Sequence, residues 1–245
     1  MSTNLLQQYY EAKYAAGVEL ERTSKLYTLR SVAGAGKLDI LDVGCGTGNN
    51  SKILAAMGHR LTGIDISQNA IARYVEAGFD GHVMDIEHRI DFDDISYDLV
   101  FCSEVIEHVS DPAHLAMEMY RVLRPGGRLV LSTPNSAFWL YRVLGLLGRP
   151  VSDIQHPQHL QFFSQRSLAD TLEGAGFKID RALGRNMYAI APDFAPLRPI
   201  YRLLGFREEV RYRTRRSFWH LSHRTAFWNS FWADTLIVEA SRPPA

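Results

Sequence analysis

Between Leu38 and Met57 an apolar run (Leu38, Ile40, Leu41, Val43) meets three glycines at alternate positions, Gly44, Gly46 and Gly48. Ile53, Leu54 and Met57 follow, spaced for one face of a helix. The succession predicts a strand, a tight turn and a helix N-terminus. Glycine permits positive φ and leaves the main chain open to close approach. A helix start adds N–H groups and a partly positive lip. A small polar ligand is therefore expected over residues 44–48. Spacing narrows its identity. The dinucleotide fingerprint needs a glycine three residues after Gly46, where Asn49 stands. No Gly-Lys-Ser/Thr ending follows Gly48, so a phosphate loop fits no better. Asp42, just before the turn, suits a cationic or hydroxyl-bearing ligand better than a pyrophosphate.

Two further acids stand where strands should end. Asp65 closes the segment His59 to Ile66, and a carboxylate there can accept two hydrogen bonds from a ribose diol. Asp85-Ile86 follows a third segment near Gly81 to Met84, pairing an acid for an exocyclic amine with an aliphatic side chain for a ring. Downstream lie Tyr97 to His108 (YDLVFCSEVIEH) and Leu123 to Asn135 (LRPGGRLVLSTPN). In this order the five segments resemble the class I S-adenosylmethionine-dependent methyltransferases, over most of residues 38–183. The resemblance implies S-adenosylmethionine as methyl donor and S-adenosylhomocysteine as product. It implies cofactor contacts at Asp42, Gly44, Cys45, Gly46, Gly48 and Ser103, with Asp65 and Ile66 at the ribose and Asp85 and Ile86 at the adenine.

Strand signals near 38–43, 60–64, 80–84, 97–102, 127–132, 177–183 and 234–240 alternate with helical patterns near 49–57, 67–77, 111–123 and 165–175. Such alternation predicts a doubly wound α/β fold, a mostly parallel sheet with helices on both faces. The resemblance adds an antiparallel seventh strand at Thr235 to Ala240. The 245 residues read as one domain. Three segments fall outside the repeat: a helical cap over 1–35 and insertions over 136–163 and 185–232. Insertions of this length usually serve as lids or binding elements, and these are expected to build the acceptor pocket.

Charge excludes some partners. Lys+Arg and Asp+Glu number 27 each, so no global field draws the chain to nucleic acid, and no RNA module is recognisable. Cys45 and Cys102 read as free thiols of a reducing compartment, and the start of the chain lacks a secretory pattern, so a cytoplasmic protein is expected. No uncharged apolar stretch approaches the roughly 20 residues of a spanning helix. The apolar segment Phe138 to Gly148 predicts either a helix packed over the sheet edge or a hydrophobic wall for a lipid-like or aromatic acceptor, in peripheral contact with a membrane. Residues 198–224 carry eight arginines, readable as a solvated face over an aromatic minicore or as an anion-binding surface.

For chemistry, a helix starting near Glu104 would put Glu104, Glu107 and His108 on one face. They would hold a divalent metal, or Glu104 would meet the cofactor while His108 or Glu107 served as base or in structure. The segment resembles the ubiquinone-pathway O-methyltransferases and the small-RNA 3′-end methyltransferases, in which the pattern is associated with metal. His156 and His159 read either as exposed loop side chains or as a base or fourth ligand. Asn135 reads as an acceptor-orienting group or a turn residue. Pro134-Asn135 and the later His159…Phe163-Ser164…Leu168…Gly176-Phe177 pattern resemble bacterial methyltransferases of secondary metabolism and cell-surface glycans. The expectation is O-methylation of a small molecule or saccharide. A quinone-pathway enzyme near the membrane is the nearest alternative, and a non-catalytic cofactor-binding partner the other.

Overall fold

The structure, a computed structural model, describes residues 35–185 and 233–244. The expected cap over 1–35 and the arginine- and aromatic-rich insertion over 185–232 lie almost wholly outside these residues.

Seven strands form one sheet. They are β1 (Asp39–Val43), β2 (Arg60–Asp65), β3 (Asp80–Val83), β4 (Tyr97–Ser103), β5 (Leu123–Pro134), β6 (Lys178–Arg185) and β7 (Thr235–Ser241). The helices are α1 (Asn49–Ala56), α2 (Gln68–Glu76), α3 (Pro112–Val122), α4 (Trp139–Leu146) and α5 (Gln165–Gly174), with single 3-10 turns at Ile106–His108 and Val151–Asp153. Strand order is β3-β2-β1-β4-β5-β7-β6. The first five strands in that order, β3 to β5, run in one direction through four parallel pairings, while β7 is antiparallel to both β5 and β6. This is the doubly wound α/β architecture the alternation predicts.

Successive strand residues point to opposite faces, and both faces are covered. Leu41, Val43, Val100, Cys102, Leu129 and Leu131 pack on one side with Leu115 and Met119 of α3 and Leu168 and Leu172 of α5. Ile40, Leu99, Phe101, Val130 and Ile237 pack on the other with Leu54 of α1. Central strands buried on both faces explain the nearly continuous apolar runs.

Local chemistry starts the helices. Asp111 accepts from the His114 N–H at 2.9 Å ahead of Pro112, and Ser164 and Ser167 form a reciprocal capping box on α5. Gly176, at φ +100°, carries the chain from α5 into β6. β5 begins at Leu123, earlier than expected, because Leu123 pairs with Tyr97 and the Pro125-Gly126-Gly127 turn sits within the strand as an irregularity. Arg121 closes the long 86–96 connection, donating to Glu118, to Asp94 and to the carbonyls of Ile90 and Phe92.

The chain runs outward from β1 through β2 to β3, then returns to β4 beside β1. The crevice at the carboxyl ends of β1 and β4 is therefore the switch point at which this architecture binds ligands. The 138–148 segment is helical at α4, with Trp139, Leu140, Tyr141 and Leu144 half-buried and the remaining helix residues exposed.

Candidate cofactor and acceptor site

The glycine turn leaves β1 with Gly44, Gly46 and Gly48 all at positive φ (+68°, +54°, +83°). Close approach does occur here, but from the protein itself. A Cβ on Gly44 would lie 2.3 Å from Cγ2 of Val105, and one on Gly48 would lie 2.9 Å from the Tyr74 ring. The expected lip of N–H groups is largely spent as well. Gly44 and Cys45 donate to the Ile64 carbonyl, Gly48 donates to the Cys45 carbonyl, and Gly46 donates to the Asp65 carboxylate at 3.0 Å. The turn is thus rigid before any ligand arrives.

Asp65 stands at the tip of β2, only 8% exposed. One oxygen takes the Gly46 N–H and the other the Ser67 N–H at 2.9 Å. An ionised carboxylate has about four lone-pair sites, so these bonds orient Asp65 while leaving acceptor capacity. Ile66 is half-buried beside it. Asp85 follows β3 and accepts from the Glu87 N–H at 3.0 Å, with His88 3.4 Å away, and Ile86 packs on the main core. Cys45 and Cys102 are buried, and burial pushes both thiols up, so they stay protonated and inert.

Asp42 departs from its expected role as a direct contact. Its side chain lies beneath the turn, 2% exposed, accepting from Ser51 of α1 at 2.5 Å, with the Tyr74 hydroxyl 2.8 Å beyond. Desolvation, with a lesser contribution from nearby Asp65, raises it to about 7. This buried chain ties β1, α1 and α2 together under the loop, and nothing in a one-dimensional reading placed Ser51 or Tyr74 in it.

After β4 the backbone turns sharply. Glu104 takes φ +58°, a conformation uncommon for a residue with a side chain. No helix starts there. Only Ile106–His108 forms a 3-10 turn, so Glu104, Glu107 and His108 do not share a helix face. Glu104 instead accepts from Ser132 of β5 at 3.0 Å, and Ser132 lies 3.0 Å from Ser103. Glu107 points inward, 1% exposed, and accepts from Thr133 at 3.0 Å.

The insertion over 136–163 completes the group. Its two ends meet where Ser136 N–H donates to the Phe163 carbonyl at 2.8 Å. Its return limb docks on the 3-10 turn, with Leu160 and Gln161 N–H both donating to the Glu107 carbonyl and His108 Nδ1 bonding the Gln158 carbonyl at 3.0 Å. His159 is held by Gln155 at 3.1 Å. The His108 and His159 rings lie 4.8 Å apart and those of His108 and His156 6.3 Å apart. One ligand atom each from Glu107, His108 and His159 falls within 4.8 Å of the others. The structure therefore gathers Glu107, His108 and His159, with His156 at the edge, where the sequence pattern alone grouped Glu104 with Glu107 and His108. Asn135, by contrast, is fully buried and bonded to Ala233 and Ala137, a turn residue rather than an acceptor contact.

Comparison with known proteins agrees with this geometry. A methyltransferase-domain family model matches residues 10–182. The chain is 32% identical over 195 residues to a ubiquinone biosynthesis O-methyltransferase of Aromatoleum aromaticum, covering 71% of this chain and 75% of that protein. It is 34% identical over 150 residues to the probable S-adenosylmethionine-dependent methyltransferase of Mycolicibacterium smegmatis, covering 60% of this chain but only 54% of the relative. The fold is similar to that of the [4+2]-cyclase SpnF, with a TM-score of 0.68 at 21% identity over 98% of this chain and 96% of that one. The glycine turn with its strand-end acids, on a seven-stranded sheet of this order, is the framework that family shares: the chain belongs to the class I S-adenosylmethionine-dependent methyltransferases.

Proposed function

We propose that the chain methylates a hydroxyl oxygen of a small molecule or saccharide held between the 104–108 turn and the 136–163 insertion. The observation that carries this reading is the convergence of His108 with His159 of the insertion and buried Glu107 at the carboxyl end of β4, beside the cofactor turn. When bound, S-adenosylmethionine supplies an electrophilic methyl carbon. Asp65, fixed by two backbone N–H groups, holds the ribose; Asp85 and Ile86 meet the adenine, and Ser103 borders the methyl end. An oxygen acceptor must lose its proton, and a neutral imidazole of the cluster can take it.

Glu107, His108 and His159 also form a mixed oxygen and nitrogen donor set that fits a divalent cation, with Glu104 outside it. Such an ion would lower the pKa of a coordinated hydroxyl. The test is a panel of hydroxylated acceptors assayed for S-adenosylhomocysteine release, before and after chelation, with calorimetric titration of magnesium and manganese. Metal-dependent turnover, and a metal dissociation constant weakened roughly tenfold or more in His159→Ala, support the cation. Unchanged activity after chelation leaves the imidazoles as bases and removes the ion.

The A. aromaticum relative, named for ubiquinone biosynthesis, favours a second reading in which the acceptor is a quinone precursor. Turnover of a long-chain phenol in preference to saccharides would select it. Failure of every acceptor despite cofactor binding would leave a cofactor-binding partner protein.

A further inference from the structure

The return limb of the insertion makes a turn that the sequence explains. Pro157 fixes φ for the second position of a β-turn, and the His159 N–H closes it on the His156 carbonyl at 3.0 Å. The Gln158 peptide sits inside this turn, on a residue only 7% exposed, and both of its polar groups meet an imidazole. Its carbonyl lies 3.0 Å from Nδ1 of His108. Its N–H donates to Nδ1 of His156 at 3.3 Å. The direction of each bond is fixed by the main chain. A carbonyl only accepts, so His108 carries a proton on Nδ1; an N–H only donates, so Nδ1 of His156 is bare. A neutral imidazole has one donor and one acceptor nitrogen, and the bond at one sets the state of the other. His108 therefore has its lone pair at Nε2, the nitrogen 3.9 Å from Oε1 of Glu107. His156 has its N–H at Nε2. Gln155, by contrast, offers His159 a side-chain amide that can accept at one end and donate at the other, so the main chain does not sort that ring.

We propose that the Gln158 peptide sorts His108 and His156 into opposite tautomers and opposite duties, with His156 donating its Nε2–H to an oxygen of the acceptor other than the one that is methylated. His156 is exposed, and its ring lies 6.3 Å from that of His108 and 5.7 Å from that of His159, a separation that a single small acceptor bridges. The duty withdraws His156 from the two roles its place in the sequence suggested, base and fourth cation ligand, since both need a lone pair at Nε2. Gln158 acts through the rings and is a positioning residue. The inference rests on the reading that the acceptor lies between the 104–108 turn and the 136–163 insertion. It adds a substrate class to that reading: acceptors with a second, hydrogen-bond-accepting oxygen near the methylated hydroxyl.

The first experiment reads the rings directly. Long-range proton–nitrogen correlation spectra of the full chain, with nitrogen-labelled histidine, distinguish protonated from bare ring nitrogens. Signals are assigned by their loss in His108→Gln and His156→Gln. His108 should be protonated at Nδ1 and His156 at Nε2. The same tautomer in both rings overturns the sorting. The second experiment uses the hydroxylated acceptor that the chain turns over fastest. His156→Ala should raise its KM about tenfold with a smaller fall in kcat, because a bond to a non-reacting oxygen holds ground and transition state alike. His156→Gln, whose amide can donate but cannot take up a proton, should return KM to within about threefold of wild type. Cofactor uptake by both variants should match the wild type, which shows that the fold is intact. A wild-type KM in His156→Ala overturns the donor role. So does His156→Gln losing as much kcat as His156→Ala, which would make His156 a base or ligand. If no acceptor is turned over, the hydroxyl-methylation reading and the donor role fall together, whereas matching tautomers defeat the sorting and leave methylation standing.

Discussion

At Gly44 two demands coincide, a positive φ and contact with Val105. Gly44→Ala should therefore cost about 2–4 kcal/mol in urea unfolding, and Val105→Ala in the same chain should return part of it by removing the clashing methyl. Asp65 anchors the turn and faces the cofactor crevice at once. Asp65→Ala should lower S-adenosylmethionine uptake in equilibrium dialysis at least tenfold, by about 1.4 kcal/mol or more; undiminished uptake would remove the ribose assignment. Asp42 offers a pH signature. Its carboxyl is raised to about 7 in the fold, so the native state holds a proton that the unfolded chain gives up near 4. Stability from this group is full below about pH 4 and declines as pH rises toward 7. Asp42→Asn should flatten that decline, its thermal midpoint gaining on the wild type above about pH 7 but not near pH 4. An equal offset at both pH values would show that Asp42 is ionised in the fold. These three residues were visible in the sequence as a motif, yet their division of labour was not. The carboxylate before the turn serves the interior, bonded to Ser51 with Tyr74 beyond, while the one at the tip of β2 braces the turn itself, because Ser51 and Tyr74 come from helices that linear spacing does not bring together.

Elements explain why some readings transferred and others failed. Helix starts at Asp111 and Ser164 depend on bonds within four residues, so they were legible. The expected helix at Glu104 is not formed: Glu104 takes a positive φ, its N–H bonds the Ser132 carbonyl of β5, and Val105 turns onto Gly44. The site's histidine cluster joins positions fifty residues apart through the Glu107 and Gln158 carbonyls; the sequence marked His156 and His159 as candidates but held no signal for Thr133 or the docking bonds. The 86–96 connection was likewise unreadable, since Arg121 fastens it from a helix. Arg121→Ala should destabilise the fold by roughly 2–3 kcal/mol in urea, and hydrogen exchange should quicken across residues 90–96. Unaltered exchange there would mean the connection holds itself. In the 136–163 insertion, His159→Ala should lower turnover more than cofactor affinity, and wild-type turnover would exclude it from the chemistry.

Across the whole molecule, cofactor binding and folding are linked, because the crevice exists only when β1 and β4 are side by side. S-adenosylmethionine at about a hundred times its dissociation constant should stabilise the fold by about 2.7 kcal/mol, a rise of roughly 5–10 °C in thermal midpoint for a chain of this size. A midpoint indifferent to saturating cofactor would contradict the assignment of the crevice. The sheet's seventh strand carries a different consequence. Among the described residues β6 pairs only with β7, which lies between it and β5, and residues 186–234 separate the two in the chain. During translation β6 therefore emerges with both edges bare, and must wait until β7 is made before either can be covered. Growing chains stalled within that interval would be sticky, and a holdase that shields strand edges would have its natural client there.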